Sequence, residues 1–471
     1  MRIRIKNNCL INIFRILSLI IFVVSIILWD INKCKYPYII LIFNYIIFIH
    51  LSSNNMRYKT PGEVVLNVVF FLRYVLLPFS YLLPNATYGF HNNFHYMKEA
   101  FLILVYEQIA IFIVMSIKNN KKNNVQNDDF LIDIKYGNII SIVVILLIVL
   151  LVIKHRYLVS GMSLITQGTV AYVEEDVKSV SGVVSVLWQA ALAWLYIYII
   201  VKIKKNNIFK KNKSINIVLV ISLGYILLTF IGQSSISRWY TIISFVAVYF
   251  TLIKLFPEYK KKINLSVIVP VLLLMIVVTV YKNTSYLETD NHNFINSLQS
   301  LINSKSLESY FAGHIGVNNS LGLYYNVNIS YKSFISDLLN NMPIVNHWID
   351  NANASVNLYN SYIGRFWNGS GDQIIPLIGQ SLLYFTPLFA PLLSCISVFL
   401  VHYFDEKFKN SNGMLMYVYA FTSSWIAVST ILNFTIILSW VYIRIIPLFC
   451  MIFFINALGL KKIKMKEKKN E

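Results

Sequence analysis

Stretches of about 20 apolar residues recur along this chain, each long enough to cross roughly 30 Å of hydrocarbon as a helix. Twelve lie near 10–29, 36–52, 63–83, 99–117, 138–155, 184–203, 215–231, 239–256, 264–281, 380–404, 413–431 and 436–458. Hydrocarbon offers no water to the backbone, so a spanning segment must satisfy its own N–H and C=O groups, which a helix does. The pattern predicts an all-α polytopic membrane protein of about 12 transmembrane helices in a lipid bilayer. Composition agrees, because 57% of the 471 residues are hydrophobic and only 13% charged, where a soluble domain carries roughly 25% charged residues. A formal charge of +20 would suit nucleic acid on a soluble basic face, but apolar runs throughout leave no such face, and no nucleic-acid partner is expected.

The charge marks sidedness. The first apolar stretch follows Arg2, Arg4 and Lys6 and runs on to Trp29 and Asp30 without a small-residue cleavage site, which reads as a retained signal anchor. With both termini cytoplasmic, the inside loops and tails hold 27 of the 41 Lys and Arg, the outside loops hold 11, and Arg15, Arg73 and Arg444 fall within spans. Cytoplasmic loops collect Lys and Arg, so this orientation is the expected one. It divides the chain into helices 1–9 over 1–281, an extracytoplasmic cap over 282–373, helices 10–12 over 374–460 and a basic cytoplasmic tail over 461–471.

Water-soluble chemistry has two places to sit, the 92 residues from Lys282 to Gln373 and a second outside loop of about 28 residues from Arg156 to Val183. In the longer one, Phe294, Leu298, Leu301 and Ile302 follow a helical rhythm, as do Phe334, Ile335, Leu338 and Leu339. Its many aromatic residues do not suit a flexible linker, so a folded cap packed on the membrane helices is predicted.

An ionisable group at mid-bilayer costs at least ~2.5–3.5 kcal/mol and needs a partner, an escape or a function. Arg15 lies close enough to the cytoplasmic end of its span to snorkel. Arg73 and Glu107 sit at matching depth in consecutive spans and are read as an interhelical ion pair, with a proton or substrate role as the alternative. Arg444 then has no embedded carboxylate left. Either it bonds carbonyls or an acid of the cap, or it faces a cavity open to the outer leaflet where a phosphate would match its planar fork.

Two further arginines stand at the outer face. Gly232-Gln233-Ser234-Ser235-Ile236-Ser237-Arg238 is a tight polar turn that leads into a helix, which is either plain loop punctuation or an anion nest. Gly364-Arg365-Phe366-Trp367-Asn368-Gly369-Ser370-Gly371-Asp372-Gln373 places Arg365 and Asp372 at the mouth of the membrane domain, with glycines that permit close approach to a ligand. His314, within Ala312-Gly313-His314-Ile315-Gly316, is the cap's best-placed group for proton transfer near neutral pH, although a lone loop histidine often has no such role. His91 and His95 are four apart but have no third ligand, and no acidic pair occupies the first outside loop, so neither a metal nor another cofactor is expected. The four cysteines lack any short spacing, and there is no GxxxxGK[ST] for ATP-driven work.

Taken together, the architecture resembles the Wzy-type oligosaccharide repeat-unit polymerases of O-antigen and capsular polysaccharide. The resemblance covers the whole layout, about twelve spans with one large extracytoplasmic loop in the C-terminal half. It also covers Gly232 to Tyr240 and Asn360 to Phe389, with Ser361-Tyr362-Ile363-Gly364-Arg365 and Gly379-Gln380-Ser381-Leu382-Leu383-Tyr384-Phe385, and departs from the family at Thr386. It implies an inverting, metal-independent glycosyltransferase of the bacterial cytoplasmic membrane that transfers a growing glycan from undecaprenyl diphosphate to an incoming lipid-linked repeat unit. A flippase and a chain-length regulator would be its protein partners. Arg238, Arg365 and Arg444 are the residues expected to hold the diphosphate, and His314 or Asp372 the base that takes the acceptor proton. A lipid-linked oligosaccharide flippase and an O-antigen ligase or other polyprenyl-linked glycosyltransferase are the alternatives. A flippase has little use for one folded 92-residue cap, and the chain shows no related halves.

Overall fold

A computed structural model describes residues 9–32, 37–52, 60–83, 95–118, 137–154, 175–205, 213–231, 238–270, 273, 304–327, 331–342, 345, 354–364, 374–411 and 413–453. The described residues form helices and connecting turns, with no strand among them. They comprise α1 (Cys9–Asn32), α2 (Tyr38–Ser52), α3 (Pro61–Ser80), α4 (Met97–Lys118), α5 (Gly137–Lys154), α6 (Glu175–Lys205), α7 (Lys213–Ile231) and α8 (Arg238–Leu255). These are followed by α9 (Pro257–Ile268), α10 (Ser304–Phe311), α11 (His314–Asn326), α12 (Tyr331–Asn340), α13 (Ser355–Gly364) and α14 (Leu377–Tyr384). The last three are α15 (Leu392–Asn410), α16 (Met414–Val428) and α17 (Phe434–Phe453).

Seven of these segments are long and apolar enough to cross a membrane, and eight if the bent pair α8–α9 counts as one span. The pair bends by 111° at Phe256. Segments of α2, α5 and α7 are apolar but shorter. The exposed faces of α1 and α5 carry Ile16, Ile20, Val23, Ile139, Leu146 and Leu150, which suits contact with lipid.

By their contacts the residues fall into two units. One comprises Met1–Asn124, Leu287–Asp405 and Ser423–Ser439, so most of the expected cap clusters with the first four helices. Within it α2 packs on α1 and α4, and α11 packs on α4, α13 and α14. The other comprises Val125–Tyr286, Glu406–Thr422 and Trp440–Glu471. Its α6 packs on α5, on α7 and on the turn Val441–Ile445, and α7 packs on α8. Tyr196 and Tyr225 stack with centroids 4.4 Å apart in its interior, and the Tyr225 hydroxyl meets that of Tyr417 at 2.8 Å.

The rhythm at Phe334, Ile335, Leu338 and Leu339 lies in α12, whereas Phe294, Leu298, Leu301 and Ile302 lie outside the described residues. Helix α11 is buried from His314 through Leu323, including Asn318, Asn319 and Ser320. Such a helix fits between neighbours because its contacts use small residues. A Cβ on Gly379 of α14 would lie 2.2 Å from Ser320 Oγ, and one on Gly322 would lie 2.3 Å from the Tyr362 hydroxyl of α13.

Candidate functional site

Arg73 and Glu107 face each other from α3 and α4, with Nη2 3.0 Å from Oε2 and neither side chain exposed. Burial of this kind demands full satisfaction of the charges. Glu107 accepts hydrogen bonds from the Tyr74 hydroxyl at 2.8 Å and the Ser394 hydroxyl at 2.5 Å, and Arg73 also donates to the Thr430 carbonyl. Arg73 sits on a π-helical turn, Leu72–Leu76, inside α3. A π turn re-aims side chains and is frequent at functional positions. Arg444 lies on a second one, Val441–Ile445, and its guanidinium stacks over the Trp440 ring with Cζ 3.1 Å from the centroid. Nothing in the sequence signals either turn.

The structure gives His314 a different setting from the one the sequence suggests. It opens α11 and is 1% exposed, its ring enclosed by Tyr81, Tyr38 and Phe101 at centroid distances of 4.5, 5.1 and 5.3 Å. Those three residues lie at the ends of α3, α2 and α4 that the charge pattern assigns to the outside. Burial pushes the imidazole down to about 3, which removes it from the neutral range in which a general base works. In this conformation His314 is enclosed rather than placed on an open surface of the cap, which is not the setting expected of a residue that takes a proton from an acceptor.

Glu308, which sequence reasoning passed over, is the partner that organises this corner. Its Oε1 accepts the N–H groups of Ile315 and Gly316, both at 3.0 Å, and so caps the N-terminus of α11. Its Oε2 lies 3.8 Å from His314 Nδ1 and 3.4 Å from the Tyr81 hydroxyl, which donates to it. Ala312, with φ of 45°, makes the turn from α10 to α11, a left-handed conformation that costs a non-glycine residue about 1–2 kcal/mol. At Gly313 a Cβ would stand 2.3 Å from Leu77 and 2.8 Å from Glu308 Oε2. Burial raises the Glu308 carboxyl to about 7, against the backbone hydrogen bonds and the attraction of Arg73, which lower it. A lone glutamate in a polar loop gives no periodic signal.

A second polar cluster ties the cap to the membrane helices. Asp337 of α12 accepts the Ser355 N–H at 3.1 and 3.2 Å and the Tyr384 hydroxyl. Gln380 of α14 donates to Ser355 Oγ at 2.7 Å and to the Tyr384 hydroxyl at 3.1 Å, while its carbonyl oxygen accepts the N–H of Phe434. Phe334 packs against Tyr384, Phe385 and Phe434 beside it.

Of the other expected site residues, Arg238 is the first residue of α8, and its side chain, with the Gly232–Ser237 turn, lies outside the described residues. Arg365 and Asp372 lie outside them as well, as does His91. The structure therefore brings together Arg73 with Glu107, and His314 with Glu308. Among the described residues no cluster of three His, Cys, Asp or Glu could hold a metal ion. Compared with known proteins, the chain matches no family model, no curated protein and no solved structure.

Proposed function

We propose that this protein polymerises undecaprenyl-diphosphate-linked oligosaccharide repeat units at the outer face of a bacterial cytoplasmic membrane. The observation that carries the reading is the seating of α11, part of the 282–373 segment, against Tyr38, Tyr81 and Phe101. A cap anchored on the outer helix ends by buried polar contacts suits chemistry at that face. The count of twelve spans with cytoplasmic termini belongs to the same proposal, α8 and α9 being two spans joined at Phe256 and α2, α5 and α7 three more.

In the proposed reaction the acceptor hydroxyl oxygen attacks the anomeric carbon of the growing glycan from the face opposite the diphosphate. The new C–O bond forms as the bond to the diphosphate oxygen breaks, which inverts the centre, and the hydroxyl proton passes to a base. Negative charge grows on the leaving diphosphate, where Arg238, Arg365 and Arg444 would stabilise it. Asp372 takes the role of base, since His314 is enclosed.

Support for the carrier alternative would have come from an unsatisfied charge within the spans. The Arg73 charge is instead paired with Glu107, which also accepts from Tyr74 and Ser394, and both are fully buried. A deletion separates the readings. Single repeat units attached to the final acceptor identify a polymerase, unattached long polymer a ligase, and lipid-linked units accumulating in the cytoplasm a flippase.

A further inference from the structure

Glu308 and His314 meet outside the spans with 5% and 1% of their surface exposed, where an unpaired charge is costly. The two carboxyl oxygens differ. Oε1 uses its lone pairs on the N–H groups of Ile315 and Gly316, so a proton on Oε2 leaves the cap of α11 intact. On the histidine side, Nε2 is buried with no hydrogen-bond partner among the described residues, and the ring packs edge-to-face with Tyr81 and Tyr38. With the hydrogen on Nε2, Nδ1 is left as an acceptor facing Oε2 across 3.8 Å.

We propose that Glu308 and His314 form one proton-binding site that holds a single proton on Glu308 Oε2, facing Nδ1 of a neutral Nε2–H imidazole. The site keeps the start of α11 uncharged where it meets the ends of α2, α3 and α4. Every neighbouring element fits this. From α3 come the Tyr81 hydroxyl and, more distantly, Arg73; from α2 comes Tyr38. Helix α4 turns Phe101 to the ring, while its Lys98 and Glu99 are exposed and its Glu107 is engaged by Arg73. Tyr359 of α13 donates to the Gly316 carbonyl at 3.4 Å, and Pro376, at the start of α14, lies against Gly316.

The site has a pH signature of its own. Unfolded, the histidine titrates near 6.5 and the glutamate near 4.5; folded, burial moves them in opposite directions, to about 3 and about 7. Between pH 4.5 and 6.5 each state therefore binds one proton, on His314 when unfolded and on Glu308 when folded, and the pair's contribution to stability is flat. Glu308→Gln leaves a histidine that only the unfolded chain protonates, so stability rises with pH across that window. His314→Gln leaves a carboxyl that only the folded chain protonates, so stability falls with pH.

The test is the apparent Tm of the full-length protein in lipid nanodiscs, each variant minus wild type, across the same window. Glu308→Gln is expected to gain a few degrees as pH rises and His314→Gln to lose a few, with the double variant flat. Two single-variant differences that stay flat, or slope the same way, overturn the proposal. Should either variant fail to fold, the wild type is read by infrared spectroscopy of 13C-glutamate-labelled protein. A carboxylic-acid band lost as pH passes about 7 supports the site, and no band titrating there overturns it. Neither reading depends on which reaction the chain catalyses.

Discussion

Arg73 and Glu107, 34 residues apart in the chain and on separate helices, form an ion pair 3.0 Å long from which solvent is excluded. Removing one partner strands the other charge. Arg73→Met or Glu107→Leu alone is expected to cost about 3–5 kcal/mol, and the double variant Arg73→Met/Glu107→Leu to recover a large part of that loss. A double-mutant cycle on detergent-solubilised protein measures it, and strict additivity would contradict the pairing.

Close packing of the cap makes a second prediction. Gly379→Ala drives a methyl to within 2.2 Å of Ser320 Oγ, an overpacking expected to cost about 1–3 kcal/mol. Pairing it with Ser320→Gly removes the obstructing atoms and should restore most of the loss in a thermal unfolding experiment. A Gly379→Ala protein as stable as wild type would show that α11 and α14 do not approach so closely.

These two features differ in how far the sequence disclosed them. Among the described residues seven segments, or eight with the bent pair, are long and apolar enough to cross a membrane, because a 20-residue apolar run is decided by lipid solvation alone and needs no knowledge of neighbours. Arg73 and Glu107 were legible by depth, a one-dimensional property. The break at Phe385 and Thr386, which separates α14 from the span that follows, was not, since Leu377–Tyr384 is as apolar as what comes after. Nor was Glu308, whose importance comes from the turn at Ala312 and the hydrogen bonds its carboxylate takes from Ile315 and Gly316 at the start of α11. Burial in turn alters the chemistry of His314, a property no local pattern carries.

The Asp337 cluster predicts a pH dependence. Burial raises the Asp337 carboxyl against the hydrogen bonds from Ser355 and Tyr384, which lower it. Its folded value thus exceeds the ordinary 3.8, so its contribution to stability is full below that value and is lost as pH rises through the folded one. Asp337→Asn does not titrate. Its Tm relative to wild type should therefore climb as pH is raised from about 4, and a difference that falls with pH would contradict the assignment.

Sidedness can be read by labelling. Tyr331 on α12 is 64% exposed, and Lys261 is exposed near the start of α9, just after the bend at Phe256. In a background lacking the native cysteines, Tyr331→Cys should react with a membrane-impermeant maleimide on intact spheroplasts, and Lys261→Cys only after permeabilisation. The reverse pattern would invert the topology.

The central claim is that cations at the outer face stabilise a departing lipid diphosphate, and the polysaccharide made by cells carrying Arg238→Ala or Arg365→Ala tests it most directly. At normal protein levels each variant is predicted to lose long-chain polymer and leave single repeat units on the final acceptor, a fall of about 100-fold or more in transfer for loss of one such electrostatic contact. Normal long-chain polysaccharide from both variants would contradict it.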